Sequence, residues 1–94
     1  MNTNYNEFKL GGRYKHSSKV NDNHKKILVE VFDKDNNQFI EVDIFDKDLL
    51  NISFVENELV VISGHIKSEV CYVNDEVNFL ERLLVADKIM RKGN

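Results

Sequence analysis

Apolar and polar residues alternate with a period of two along most of this chain, the pattern of β-strands that bury one face. The alternation predicts a first strand over 7–16, two further strands in "KKILVEVF" and "FIEVDIF", a fourth in "ELVVISGHIK" and a last in "ERLLVADKIM". Between the third and fourth strands, Asp46 is placed to cap a short helix in "KDLLNISF" that ends at Asn57. The predicted order is therefore three strands, a short helix and two strands.

Asparagine, aspartate and glycine are expected to form the turns, because the chain contains no proline. A polar loop is predicted over 17–24, and residues 74–76 are placed at the tip of a hairpin. Gly11 and Gly12 predict a bulge or bend in the first strand, and Gly64 a sharp bend or a close backbone approach in the fourth. The inward positions predict a core of Leu10, Ile27, Val29, Val31, Val42, Ile44, Val60, Ile62, Ile66 and Val85.

Length and composition narrow the class of protein. Ninety-four residues form one domain over 1–94, and the single cysteine, Cys71, excludes an internal disulfide, as is typical of a reducing compartment. No run approaches the roughly 20 apolar residues that span a bilayer, and the N-terminus lacks the order of a signal peptide. We therefore expect a cytoplasmic protein that does not bind membranes.

Charge is distributed unevenly along the chain, although the net charge is only −3. Residues 1–26 carry six lysines and arginines against two acids, whereas residues 27–63 carry two against nine. Residues 64–94 carry five of each. The basic N-terminal segment can attract an anion despite the acidic middle, while a solvated surface of mixed charge explains the counts equally well.

Four phrases of the sequence resemble, in order, strands of the bacterial single-stranded-DNA-binding proteins. "NEFKLGGRY" resembles their opening strand, where alternating apolar residues lead into Gly-Arg-apolar, and "FIEVDIFDK" resembles their third, which ends in Phe45, a short residue and Lys47. "ELVVISGHIKSEV" resembles their fourth, an apolar run into Gly64 and then Lys67, and "LLVADKI" resembles their closing strand. The resemblance covers about residues 6–90.

This resemblance implies the oligonucleotide/oligosaccharide-binding (OB) fold, an all-β, five-stranded barrel with a short helix between strands 3 and 4. It implies single-stranded DNA as the partner, a role in DNA replication or recombination, and self-association as a further option. Cellular members carry a Gly/Pro-rich extension, whereas this sequence ends in "MRKGN" and contains no tryptophan, the family's favoured stacking residue. A tailless primosomal relative, or a version from a phage or mobile element, is therefore expected.

The candidate binding face interleaves aromatic and basic side chains, as single-stranded nucleic acid requires for base stacking and phosphate contact. Phe32, Phe39 and Phe45 have the outward parity of the second and third strands, and the resemblance places them, with Tyr72 within one residue, at stacking positions. The expected phosphate contacts come from Lys9, Arg13, Lys15, Lys47 and Lys67. Alternatively, the phenylalanines pack under loops or in a subunit contact, and Glu30, Glu41 and Asp43, which share their parity, would repel phosphate.

The residues do not form a catalytic or metal-binding motif. His16, His24 and His65 lack a nearby cysteine or acid at metal-ligand spacing, and no serine occupies a nucleophile elbow. We expect no enzyme activity and no cofactor. A second hypothesis remains: an accessory subunit that binds a polymerase, primase or helicase through an apolar face, which Leu28 would distinguish because it has outward parity and stacking does not need it.

Overall fold

Five strands form a closed barrel in which neighbours follow the order β1, β2, β3, β5, β4. The structure is a computed structural model that describes residues 6–92, apart from the side chains of residues 69, 71 and 77–80. The single short helix lies between the third and fourth strands, so the predicted all-β barrel with five strands and one helix is confirmed. The elements are β1 (Phe8–Asn21), β2 (His24–Val31), β3 (Gln38–Ile44), α1 (Lys47–Leu50), β4 (Leu59–Val73) and β5 (Glu76–Lys92).

Alternate residues of the strands fill the barrel, and most of the predicted core is confirmed. Seven of the ten predicted positions are buried, while Leu10 and Val31 are half-buried and pack against them. Ile66 was predicted in the core but remains 40% exposed. Ile66 follows His65 on β4, and His65 pairs with Val85, the residue of β5 that pairs with β3. Ile66 therefore lies at the end of the barrel from which the β4–β5 hairpin extends. The predicted core positions that are buried are Ile27, Val29, Val42, Ile44, Val60, Ile62 and Val85.

One end of the barrel is closed by the segment around α1. The side chain of Asp46 accepts a hydrogen bond from the Asp48 amide, which confirms the predicted cap, but the helix ends at Leu50 rather than near Asn57. Leu50 and Phe54 pack against the core as predicted, and the ring of Phe54 stacks on the buried Tyr14 with 4.8 Å between centroids. A helix of four residues is not stable alone in water, so packing of Leu49 and Leu50 against the core holds it in place.

The first strand is longer than predicted. Residues 17–19 pair with 25–27 of β2, so the polar segment expected as a loop is strand, and only Asp22 and Asn23 remain between β1 and β2. Of the bulge or bend predicted at Gly11 and Gly12, the bulge is wrong, because the register with β4 is regular there. The irregularities with β2 fall between Tyr14 and His16 and between Lys19 and Asn21.

Two glycines are required by close backbone approaches, as predicted for Gly64. A Cβ on Gly64 would overlap the carbonyl oxygen of Val85, at a point where the β4–β5 register shifts by one residue. A Cβ on Gly12 would overlap the carbonyl oxygen of Glu30. These contacts bring the neighbouring strands close enough to close the barrel.

Gly64→Ala should lower the free energy of unfolding by about 1–3 kcal/mol, because the added methyl group must displace backbone rather than a flexible side chain. Gly11→Ala is the matched control, since its Cβ would meet Val61 at 3.7 Å, an ordinary contact. Equilibrium unfolding in urea measures both variants. Equal stability of the two would contradict the close approach at Gly64.

Candidate nucleic-acid interface

The outward side chains of β1, β2 and β3 form one continuous surface, which we call the aromatic face. Cross-strand pairing places Arg13 beside Glu30 and Glu30 beside Phe39, and it places Lys26 beside Asp43 near the other end of the same surface. Phe39 and Phe45 project from the same side of β3 and its end, six residues apart. At about 3.3 Å per residue they mark a track roughly 20 Å long, which is enough for several nucleotides of an extended strand.

All four aromatic residues predicted for the site are exposed. Phe39 is 58% and Phe45 38% exposed, so burial in the barrel does not explain either side chain. Phe32 is exposed just beyond the end of β2, where it also lines a groove with Leu59 and other residues of β1 and β4. Tyr72 is exposed on the β4–β5 hairpin, directly before the turn that Asn74 and Asp75 form with positive φ. The structure therefore places three rings on or beside the aromatic face and the fourth on the hairpin.

Two of the predicted phosphate ligands lie over aromatic rings. The guanidinium of Arg13 is 5.0 Å from the centroid of Phe32, and the ammonium of Lys67 is 5.7 Å from the centroid of Phe45. Sequence analysis assigned base stacking to the rings and phosphate contact to the cations, and it did not predict that a cation would lie over a ring. Cation and ring attract each other through the ring quadrupole, so each cation is held beside an exposed ring.

The remaining predicted cations occupy different positions. Lys15 donates a hydrogen bond to Asn57 at 2.7 Å and lies 3.9 Å from Glu30, so its ammonium is engaged within the protein. Lys47 is exposed at the first residue of α1, two residues after Phe45. Lys9 is exposed on the part of β1 that pairs with β4, beside Ser63. The structure thus places Arg13, Lys47 and Lys67 near the rings, and it leaves Lys9 at the start of β1, before the strand begins to pair with β2.

The acidic side chains that share the parity of the phenylalanines are bonded to neighbours within the protein, and whether they repel phosphate stays a prediction. Asp43 is only 2% exposed although its parity is outward, and it accepts hydrogen bonds from His24 at 2.7 Å and Lys26 at 3.0 Å. Lys26 also donates to Glu41 at 3.0 Å, and Glu30 accepts from Asn37 at 3.0 Å. Lys26 therefore offsets part of the negative charge of Glu41 and Asp43, and Glu30 is held by an amide.

Sequence analysis did not identify Lys26 and His24 as residues of this face. Lys26 contacts Glu41 and Asp43, and His24 contacts Asp43 and Phe45. Partial burial would lower the pKa of Lys26, but hydrogen bonds to Glu41 and Asp43 outweigh that effect and raise the pKa. The imidazole of His24 stacks on Phe45 with 4.1 Å between centroids while its Nε2 lies against Asp43. His24 thereby covers one face of the Phe45 ring.

No protein-family model matches the chain, and no curated protein matches it in sequence. Solved structures do match in fold. Rim1, the mitochondrial single-stranded DNA binding protein of S. cerevisiae, superposes with a TM-score of 0.73 at 14% identity, covering 98% of this chain and 99% of Rim1. The chain has the OB fold of single-stranded-DNA-binding proteins.

Two further structures with this OB fold extend the comparison. A Plasmodium falciparum SSB in complex with ssDNA matches with a TM-score of 0.71 at 12% identity, covering 99% of this chain and all of that one. The N-terminal domain of PriB from Thermoanaerobacter tencongensis, a dimeric structure, matches with a TM-score of 0.64 at 17% identity, covering 95% and 98%. The implied fold is therefore confirmed over nearly the whole chain.

Proposed function

We propose that this protein binds single-stranded DNA on the aromatic face and acts without enzymatic activity in DNA replication or recombination in the cytoplasm. The observation that carries the proposal is the pair of exposed rings, Phe39 and Phe45, on one face of an OB barrel. The acids between them on β2 and β3, Glu30, Glu41 and Asp43, are bonded to a lysine or an amide. Exposed rings on such a face are costly in water and are typical of base-stacking platforms. The single-stranded-DNA-binding proteins that share the fold support the same assignment.

In this proposal, bases stack on Phe39 and on the open face of Phe45 while phosphates contact Arg13, Lys47 and Lys67. The cations that lie over Phe32 and Phe45 exchange a weak contact with a ring for a charge-assisted hydrogen bond to phosphate. Phe32, Lys9, Lys15 and Tyr72 complete the predicted set, with Tyr72 extending the surface onto the β4–β5 hairpin. Stacking is tolerant of sequence because every base has an aromatic face, so binding in this mode is general.

Titration of the pure protein with fluorescent oligo-dT across a range of salt concentrations tests this proposal. Each phosphate contact should contribute about −0.7 to the slope of log affinity against log salt. A duplex of the same length should bind more weakly, because its paired bases cannot reach the rings. Equal affinity for duplex and single strand would argue for a purely electrostatic surface, and no binding to either would remove the proposal.

Arg13→Ala should reduce the magnitude of that salt slope by about 0.7, because one phosphate contact is lost. Lys88→Ala is the matched control, since Lys88 is exposed on β5 and pairs with Ser63 away from the aromatic face. Affinities at four or more salt concentrations give both slopes. A slope that Lys88→Ala lowers as much as Arg13→Ala does would show that the contacts are not confined to this face.

A second candidate function is supported by an apolar patch where β1 pairs with β4, next to the Arg13 end of the aromatic face. Phe32, Leu59 and Met90 are exposed there, and Phe32, Leu59 and Val61 line a groove of about 290 Å³. We propose that this β1–β4 patch (Phe32, Leu59, Val61 and Met90) contacts another protein. The first candidate for that protein is a second copy of this chain, as the dimeric PriB domain suggests. A charge in the patch, Leu59→Glu, should then lower the molar mass measured by light scattering, and a wild-type mass of 11.0 kDa at every concentration would contradict self-association.

A polymerase, primase or helicase is the alternative protein partner in this second candidate. Leu28 distinguishes it from DNA binding, because Leu28 is half-buried on the aromatic face between His16 and Glu41 and offers no ring for stacking. If an enzyme docks on that face, Leu28→Ala should reduce its recovery with the protein from the source cells while oligo-dT affinity stays unchanged. Recovery of none of these enzymes with the wild-type protein would count against this role.

A further inference from the structure

A pocket of about 360 Å³ lies beside Phe45, at the end of β3 on the aromatic face. Phe45 forms one wall, and the ammonium of Lys67 lies 5.7 Å from the centre of its ring. The apolar floor comes from Val85 and Ala86. The other residues that line the pocket are Asp46, His65 and Asp87.

A β-bulge places Asp87 in this pocket. Ser63 pairs with Lys88 and Gly64 pairs with Ala86, so Asp87 is the extra residue of β5 and has no cross-strand partner of its own. Bulges turn a side chain away from the regular alternation, and here the carboxylate of Asp87 lies 2.8 Å from Nδ1 of His65. Gly64 makes this bulge possible, because any side chain there would overlap the carbonyl oxygen of Val85.

The pocket therefore combines an aromatic wall with acceptors and a donor at its rim. Asp46 and Asp87 each use one carboxylate oxygen, for the Asp48 amide and for His65. Among residues 6–92, leaving aside the side chains of 69, 71 and 77–80, no donor is bonded to the other oxygen. Lys67 supplies an ammonium on a flexible stem, which can move from the ring to the rim when a base takes its place. Because His24 covers the opposite face of Phe45, the stacked base must enter from the pocket side.

We propose that this pocket reads the edge of the base that stacks on Phe45 and prefers guanine. The inference rests on the proposed binding of single-stranded DNA and adds a base preference to it. Guanine is the base whose Watson–Crick edge carries two adjacent donors, N1–H and the 2-amino group. The carboxylate of Asp87 can accept both, because the oxygen bonded to His65 keeps a second lone pair. Its O6 lies beside them and accepts from an ammonium such as that of Lys67.

The other bases fit this rim less well. Thymine presents a single N3–H between two carbonyl oxygens, which a carboxylate repels. Adenine and cytosine each present one amino group beside an unprotonated ring nitrogen, so a carboxylate gains one hydrogen bond from them rather than two. The expected order of affinity at this position is guanine first, adenine and cytosine next, and thymine last.

Competition binding with dT12 strands that carry one central substitution tests this inference. A single dG should bind about fivefold more tightly than dT, at the lower end of the discrimination that a two-bond contact to a base edge provides. Inosine, which lacks the 2-amino group, should recover only part of that gain. Because this comparison uses the wild-type protein, it does not depend on the folding of any variant.

Asp87→Asn should remove the guanine preference and leave dT12 affinity within about twofold, because the amide cannot accept both donors. Asp22→Asn, an exposed carboxylate in the β1–β2 turn that pairs only with Lys19, is the matched control and should retain the preference. Equal binding of the dG and dT strands, or a preference that survives in Asp87→Asn, would overturn the pocket while the proposed function stands. Failure of every strand to bind would instead overturn the proposed function, and this inference with it.

Discussion

Phe39→Ala is expected to weaken oligo-dT binding by about 1–3 kcal/mol while the melting temperature stays nearly unchanged. Phe39 is the second residue of β3 and lies beside Glu30 of β2. Its ring is 58% exposed and therefore contributes little to the core. Stacking of one base on one ring accounts for the expected loss. Fluorescence anisotropy with labelled oligo-dT measures affinity, and thermal unfolding followed by circular dichroism measures stability.

Phe54→Ala is the matched control for this experiment. Its ring stacks on Tyr14 and packs against the core at the end of the barrel, away from the aromatic face, so its loss should lower the melting temperature. Affinity and stability should therefore separate between the two phenylalanines. If Phe39→Ala instead keeps oligo-dT affinity and loses many degrees of stability, the outward rings are packing residues and the protein-contact function becomes the better proposal.

Periodicity predicted the fold where strands pair regularly across their whole length. In β2 and β3, the inward positions hold Ile27, Val29, Val42 and Ile44, and all four are buried because the two strands pair without a bulge. The polar end of β1 carries no such signal. Residues 17–21 extend as strand only because β2 returns alongside them, and a hairpin with both faces in water shows no apolar alternation.

The site was predicted in its residue types but not in its pairings. Exposure of the rings followed from parity, whereas burial of Asp43 did not, because the residues that cover it come from another strand. His24 and Lys26 share the outward parity of Leu28 and lie opposite Phe45 and Asp43 once "HKKILVEVF" and "FIEVDIF" are aligned as a hairpin. Cross-strand register was thus the signal that could have found them, and periodicity within one strand does not contain it.

Ile62→Ala should destabilise the protein by about 2–5 kcal/mol, a large part of the total for a domain of this size. Ile62 is fully buried on β4, paired with Leu10 of β1 on one side and Ile89 of β5 on the other. The lost methyl groups leave a cavity that the closed barrel cannot collapse to fill, because strands bond to it on both sides. Urea unfolding at equilibrium measures the loss as a lower midpoint with an unchanged slope.

Ile66→Ala is the matched control on the same strand with the same parity. Sequence periodicity predicts an equal cost for the two substitutions, whereas the structure predicts a cost below about 1 kcal/mol at Ile66, which is 40% exposed beyond the contact of Val85 with β3. Its backbone bonds to Asn6, at 2.8 Å each, survive the substitution because they involve no Ile66 side-chain atom. Equal losses would mean that another surface covers Ile66 in solution, and the end of the barrel from which the β4–β5 hairpin emerges would then be part of a contact between molecules.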